Sequence, residues 1–162
     1  MPSGTSNINI KTRHYIKALQ GHTDWVRSVC TSTDGRCVLS AGNSQTVRLR
    51  DISGLNYSNV LTLKGHNHGI SCCTLVHPTS YLVHLAVTAR LKAPPPATSP
   101  AEFIATGSRE NTIKLWNTRG SRLIMLIFHE TWVIAVVLHP GVRYLLSAAD
   151  EKTLRCWDLG QE

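Results

Sequence analysis

The sequence lacks any apolar run long enough to cross a bilayer, and its first residues lack the charged-then-apolar pattern of a secretory signal. Those two absences lead to the expectation of an intracellular, soluble protein with no membrane span. Cysteine is sparse and odd in number: Cys30, Cys37, Cys72, Cys73 and Cys156, without C-x-x-C spacing. That argues against a disulfide framework and predicts reduced thiols, mostly in buried strands. Acidic residues are short, 10 Asp and Glu against 17 Lys and Arg, for a formal net charge of +7. An excess of this sign favours encounter with acidic partners, whether nucleic acid, anionic membrane or an acidic protein surface. The basic residues are scattered, as with Lys114, Arg119, Arg122, Arg143, Lys152 and Arg155, and no nucleic-acid module is recognisable. Nucleic acid is therefore not expected as a partner. A length of 162 residues with 42% hydrophobic content fits one ordinary globular domain and argues against wholesale disorder.

What is present is a phrase repeated three times. It reads SAGNSQTVRLRD over residues 40–51, TGSRENTIKLWN over 106–117 and SAADEKTLRCWD over 147–158. A histidine precedes each copy, in Gly21-His22, Gly65-His66 and Phe128-His129. His22 stands 28 positions before Arg50, and His129 stands 28 before Trp157. The middle copy needs 50 positions from His66 to Trp116, so it carries 22 extra residues. A period of roughly 40–45 residues with these end-marks is the signature of a propeller blade repeat. The expected fold is all-β, a partial propeller of about three four-stranded blades.

Residues 1–14 are polar and read as a loose lead-in, and the repeats are expected over about 15–51, 59–117 and 122–158. Tyr15–Leu19 alternates as an outer strand would. Trp25–Cys30 reads as the first strand of a blade, Cys37–Ser40 as the second and Thr46–Arg50 as the third, with Asp34-Gly35 turning the first into the second. Leu61–Leu63 and Ile70–Leu75 open the second copy. The 79–101 stretch holds the extra residues and a triple proline, which cannot continue a strand ladder, so it is expected to be a surface loop. Strand character resumes at Phe103. The third copy follows with Leu123–Ile127, Trp132–Leu138, Tyr144–Ser147 and Thr153–Trp157, and no outer strand follows it.

Repeats of this kind tend to link four side chains through each blade: the histidine, a Ser or Thr, an Asp in the next turn, and the tryptophan. A buried imidazole needs a partner on each nitrogen, and an indole N–H needs an acceptor. The hydroxyl position holds Ser40, Thr106 and Ser147, ten residues before the tryptophan position in every copy. The tryptophan position holds Arg50, Trp116 and Trp157, and the Asp position holds Ser44, Glu110 and Glu151. His22, His66 and His129 beside hydroxyls invite a catalytic reading. Recurrence once per repeat argues for scaffolding instead, since an active site occurs once, and no catalytic residue is assigned. His66-Asn67-His68 resembles a metal pair but lacks third and fourth ligands, so no metal or other cofactor is expected. His77, His84 and His139 have no partner pattern.

GHTDWVRSV over 21–29, GSRENTIKLW over 107–116, HETWV over 129–133 and SAADEKTLRCWD over 147–158 together resemble WD-repeat proteins of the lissencephaly/NudF nuclear distribution type. KAPPP over 92–96 sits where that family has an insertion within one blade, and with RCWDL over 155–159 it most resembles the filamentous-fungal branch. The resemblance implies a seven-bladed propeller that binds the motor domain of cytoplasmic dynein and works with a NudE-type coiled-coil protein. It implies a non-catalytic role in minus-end-directed microtubule transport, nuclear migration and spindle positioning, with a cytoplasmic location on microtubules and spindle poles. The family's dynein-contacting arginine and tryptophan match Arg109 and Trp132. The sequence departs from the pattern in carrying three of seven repeats and no dimerisation motif or coiled coil, in its Asp position, in Arg50 and in Ile134. Self-association is a further partner reading; a generic adaptor role in another complex, such as a ubiquitin ligase or an RNA-processing assembly, and a truncated paralogue without function are the alternatives.

Overall fold

The computed structural model describes residues 17–32, 34–76, 103–118, 122–127, 129–139 and 143–159, with 122–127 described by backbone alone. The lead-in over 1–14, the loop over 79–101, His77 and His84 lie outside these residues. Short alternating segments rich in Val, Ile, Leu and Thr fit a pleated surface covered on at least one side. They form β1 (Val26–Thr31), β2 (Cys37–Gly42), β3 (Thr46–Asp51), β4 (Asn59–Lys64), β5 (Ile70–Val76), β6 (Phe103–Ser108), β7 (Thr112–Asn117), β8 (Arg122–Ile127), β9 (Val133–Leu138), β10 (Tyr144–Ala149) and β11 (Leu154–Asp158). There is no helix among the described residues, and so none long and apolar enough to cross a membrane.

The strands form three antiparallel sheets: β1-β2-β3-β4, β5-β6-β7-β8 and β9-β10-β11. Each is one blade. β4 precedes the second Gly-His yet pairs with β3, Val47 opposite Leu63 and Leu49 opposite Leu61. β8 likewise closes the second blade from the start of the third copy. Blade and sequence repeat are thus out of phase by one strand, so each copy is fastened to the sheet before it. The third sheet has three strands among the described residues, one fewer than in the other two. Lys17–Leu19, part of the expected outer strand Tyr15–Leu19, is not in a strand, and Tyr15 and Ile16 lie outside the described residues.

The inner turns, as we call the connections β2–β3, β6–β7 and β10–β11, repeat one geometry. Gln45, Asn111 and Lys152 all take a left-handed backbone, with φ of 60°, 65° and 65°. In each turn the N–H of that residue reaches back 3.2 Å, to Gly42, Ser108 and Ala149 in turn. The first turn of blade one is held by Asp34, whose carboxylate accepts from the Ser32 hydroxyl at 2.6 Å and the Arg36 N–H at 3.0 Å, with Gly35 at φ 70°.

Two cores lie between the blades. Blades one and two enclose Leu39, Val47, Leu49, Leu63, Ile70, Leu75, Ile104 and Trp116. Blades two and three enclose Cys72, Ile113, Leu115, Val133, Val136, Leu138 and Leu145. The second blade is therefore covered on both faces and the outer two on one. Equivalent positions record this: Ile113 of β7 is 1% exposed, whereas Leu154 of β11 is 71% exposed. On the other flank Ile70 is 1% exposed and its counterpart Val26 is 53% exposed. Of the cysteines, all free, Cys72 and Cys73 are buried, Cys30 and Cys37 half-buried and Cys156 exposed.

Gly107 sets the approach of blades two and three. A Cβ there would stand 2.5 Å from Val133 Cγ1 and 2.6 Å from Cys72 Sγ, both in the core. Gly107→Ala should destabilise the chain by about 1–3 kcal/mol through overpacking. Thermal unfolding followed by circular dichroism checks this; an unchanged Tm would mean the sheets do not approach so closely.

Candidate interaction site

The three histidines sit at the same end of successive blades, beside the inner turns. In blade two His66 Nδ1 lies 2.5 Å from Glu110 Oε1, His66 Nε2 lies 2.7 Å from Thr106 Oγ1, and Trp116 Nε1 donates to Thr106 at 2.9 Å. One proton arrangement satisfies all of them. The indole donates to the hydroxyl, the hydroxyl to Nε2, and Nδ1–H to the carboxylate. Glu110 also accepts from Thr112 and Lys114, each at 2.7 Å, and from the Asn67 N–H at 2.8 Å. Blade three repeats the set: His129 with Glu151 at 2.8 Å and Ser147 at 2.7 Å, Trp157 with Ser147 at 2.8 Å, and Arg155 with Glu151 at 2.9 Å.

Both nitrogens of His66 are occupied, which leaves no lone pair for a metal and no free base for catalysis. Burial holds its pKa down to about 4 despite the adjacent Glu110. Burial works to raise Glu110, but the donors from Lys114, Thr112 and Asn67 outweigh it and hold that carboxyl down to about 2. Hydrogen bonds from Thr153 and His129 hold Glu151 down to about 2 as well. His68, the other half of the apparent metal pair, has its Nδ1 2.8 Å from the Gly69 N–H.

Blade one differs. His22 bonds Ser40 at 2.9 Å and Ser44 at 2.8 Å, and no carboxylate joins them. Arg50 occupies the tryptophan position and stays inside, 6% exposed. One of its nitrogens donates to the Gln20 carbonyl, and its Nε has no partner. An arginine in a position built for a buried indole either stays inside with an unpaired charge or turns outward; here it remains buried and half-satisfied. Gly21, with φ of 136°, lets both Arg48 and Arg50 lie against the backbone. Gly65 does the same for the Trp116 ring, 3.1 Å from where a Cβ would stand.

Arg109 and Trp132, distant in sequence, meet at this end. The Arg109 guanidinium stands over the Trp132 ring, 4.9 Å from its centroid. Hydrogen bonds hold both backbones: Arg109 N–H to Gly69 O, and Asp150 N–H to Trp132 O, each 3.0 Å. The ring is half exposed, and Ile134 beside it is exposed too. The sequence reading missed Trp25. It holds the equivalent position in blade one, is more exposed than Trp132, and lies 5.1 Å beneath Arg27. Its place three residues after His22, matching Trp132 after His129, is the signal that finds it.

Antiparallel sheets that enclose a core between each neighbouring pair, each with a histidine bonded to a hydroxyl of its own second strand, define a partial β-propeller. The model of the WD domain, G-beta repeat, matches residues 13–51, 57–117 and 120–158, and the chain belongs to that family. It is 55% identical over 159 residues to nuclear distribution protein PAC1-2 of Uncinocarpus reesii, covering 98% of this chain and 34% of that protein. It is 53% identical to nuclear distribution protein PAC1 of Ajellomyces capsulatus, over 91% of this chain and 32% of that protein. To nuclear distribution protein nudF of Emericella nidulans it is 44% identical, over 98% of this chain and 36% of that protein. The chain thus spans about a third of the length of the curated relatives it matches.

Thr106→Val keeps the shape but removes the acceptor of one buried N–H and the donor to His66. It should cost about 2–4 kcal/mol, measured as a lowered denaturant midpoint. An unaltered midpoint would mean the network contributes nothing to stability. Acid should weaken the fold in two steps, because His66 and Glu110 both bind protons more readily when unfolded. Stability is full above pH 6.5, falls toward pH 4 through His66, and falls between 4.5 and 2 through Glu110. A Tm that stays level from pH 7 to 4.5 would contradict the burial of a neutral His66.

Proposed function

We propose that this chain is a non-catalytic WD-repeat scaffold in the regulation of cytoplasmic dynein, serving minus-end-directed microtubule transport, nuclear migration and spindle positioning. The relatives it resembles over 91–98% of its length are named nuclear distribution proteins, which supports this reading. The single observation that carries it to residues is the Arg109–Trp132 pair: an arginine stacked on a half-exposed tryptophan, held by backbone bonds at the blade ends. Arg and Trp dominate binding energy at protein interfaces, and stacking sets both rotamers before a partner arrives. The partners are the dynein motor domain and a NudE-type coiled-coil protein, and the location is cytoplasmic, on microtubules and spindle poles. The occupied histidines support a role without catalysis.

Trp132→Ala should reduce capture of dynein motor domain by at least about tenfold, as a hot-spot residue would. The buried Ser147 should keep its bonds to His129 and Trp157 in this variant, so an unchanged melt is its control. Equal capture by variant and parent would remove Trp132 from the contact. Crosslinking that recovers only an unrelated assembly would favour a generic adaptor instead.

A further inference from the structure

The three blades carry the same donor set but not the same acceptor. In blades two and three, four groups converge on a glutamate: the histidine, the threonine two residues on (Thr112, Thr153), a basic side chain (Lys114, Arg155), and the N–H after the histidine (Asn67, Glu130). Blade one has every counterpart, in His22, Thr46, Arg48 and Thr23. Where the glutamate would stand it has Ser44, whose neutral hydroxyl reaches His22 at 2.8 Å and Thr46 at 3.0 Å. Among the described residues no carboxylate pairs with Arg48, and its Nε is buried without a partner.

A cavity of about 340 Å³ lies over this gap in the pattern, lined by Thr23, Ser44, Thr46, Arg48, Lys64 and Gly65 among others. Its walls bring Lys64 as a second cation. Behind them stands Arg50, buried, with an Nε that is likewise unpartnered and a terminal nitrogen close to the same Gly21 that Arg48 touches. Desolvation and the proximity of Arg48 both disfavour the Arg50 charge. A guanidinium and an ammonium in the wall, with a second guanidinium buried behind it, exceed what a single carboxylate balances, and they suit a dianion with several acceptor oxygens.

We propose that this cavity is an oxyanion site that takes a phosphate group, with Arg48 and Lys64 as its direct cationic ligands, Thr23 and Thr46 as further donors, and Arg50 as a buried charge behind them. The ligand replaces in blade one the carboxylate that the other blades supply from their own chain.

The test is calorimetric titration of the 162-residue chain with inorganic phosphate at fixed ionic strength, with acetate in parallel and O-phosphoserine as a third ligand. Phosphate should bind saturably, 1:1, and more tightly than acetate. Arg48→Gln should weaken it by about tenfold or more, as loss of a charge-assisted pair does. Ser44→Glu should abolish it while raising Tm, because the new carboxylate takes the site; loss of binding in a more stable protein cannot be unfolding. Tighter binding of O-phosphoserine would assign the phosphate to a phosphorylated side chain, and equal binding would assign it to the free anion. Absence of saturable binding, an equal response to acetate, or phosphate binding that survives both substitutions would overturn the proposal.

Discussion

A β-sheet of four strands has two faces, and in this protein each face is apolar enough to require another sheet against it. That requirement governs the rest. Positions that are identical by repeat register are buried or exposed according to whether a neighbouring blade lies over them. Val47 and Ile113 are sealed while Leu154 is open, and Ile70 and Val133 are sealed while Val26 is open. Fully burying one such side chain contributes about 1.5–3 kcal/mol, so the central blade, covered twice, is the anchor of the array. Repeat proteins distribute stability in this way, as a property of interfaces between units more than of the units.

The hydrogen-bonded histidines depend on that packing and return support to it. His66 is buried because Trp116 and the inner turn close over it, and a buried imidazole is tolerable only with both nitrogens paired. The chain Trp116–Thr106–His66–Glu110 ties β7, β6, the entry loop and the inner turn together in one proton order. It fixes the turn that presents Arg109, and the matching chain in blade three fixes the loop that presents Trp132. The proposed contact surface thus rests on two buried networks, which hold its backbone without forming part of it.

Much of this was legible in the residues. Strand positions followed from alternation, and the partners of each histidine from the habit of such repeats placed on these residues by spacing, because both are local or repeat-bound properties. Three things were not. The one-strand offset between copy and blade depends on which sheet β4 and β8 join, and the letters of Leu61–Leu63 are the same either way. The exposure of Leu154 and Cys156 depends on a neighbour and not on their own strand, which reads like Thr112–Asn117. The Arg109–Trp132 and Arg27–Trp25 stacks are through-space pairings; the first joins residues of different blades, and no periodicity encodes it.

Arg50 is best understood together with Ser44. An arginine in place of a buried indole, taken alone, is a cost: it brings a charge into a site built for a ring and leaves its Nε unpaired. A serine in place of the turn carboxylate, taken alone, leaves Arg48 unbalanced. The two changes fall in one blade and their consequences meet at Gly21, where both guanidiniums press against the same backbone. Two independent losses would each be expected to relax outward into solvent. Here Arg50 is instead held inward behind the cavity that Arg48 lines, while blades two and three keep their networks closed. The arrangement makes physical sense if the countercharge comes from outside the chain.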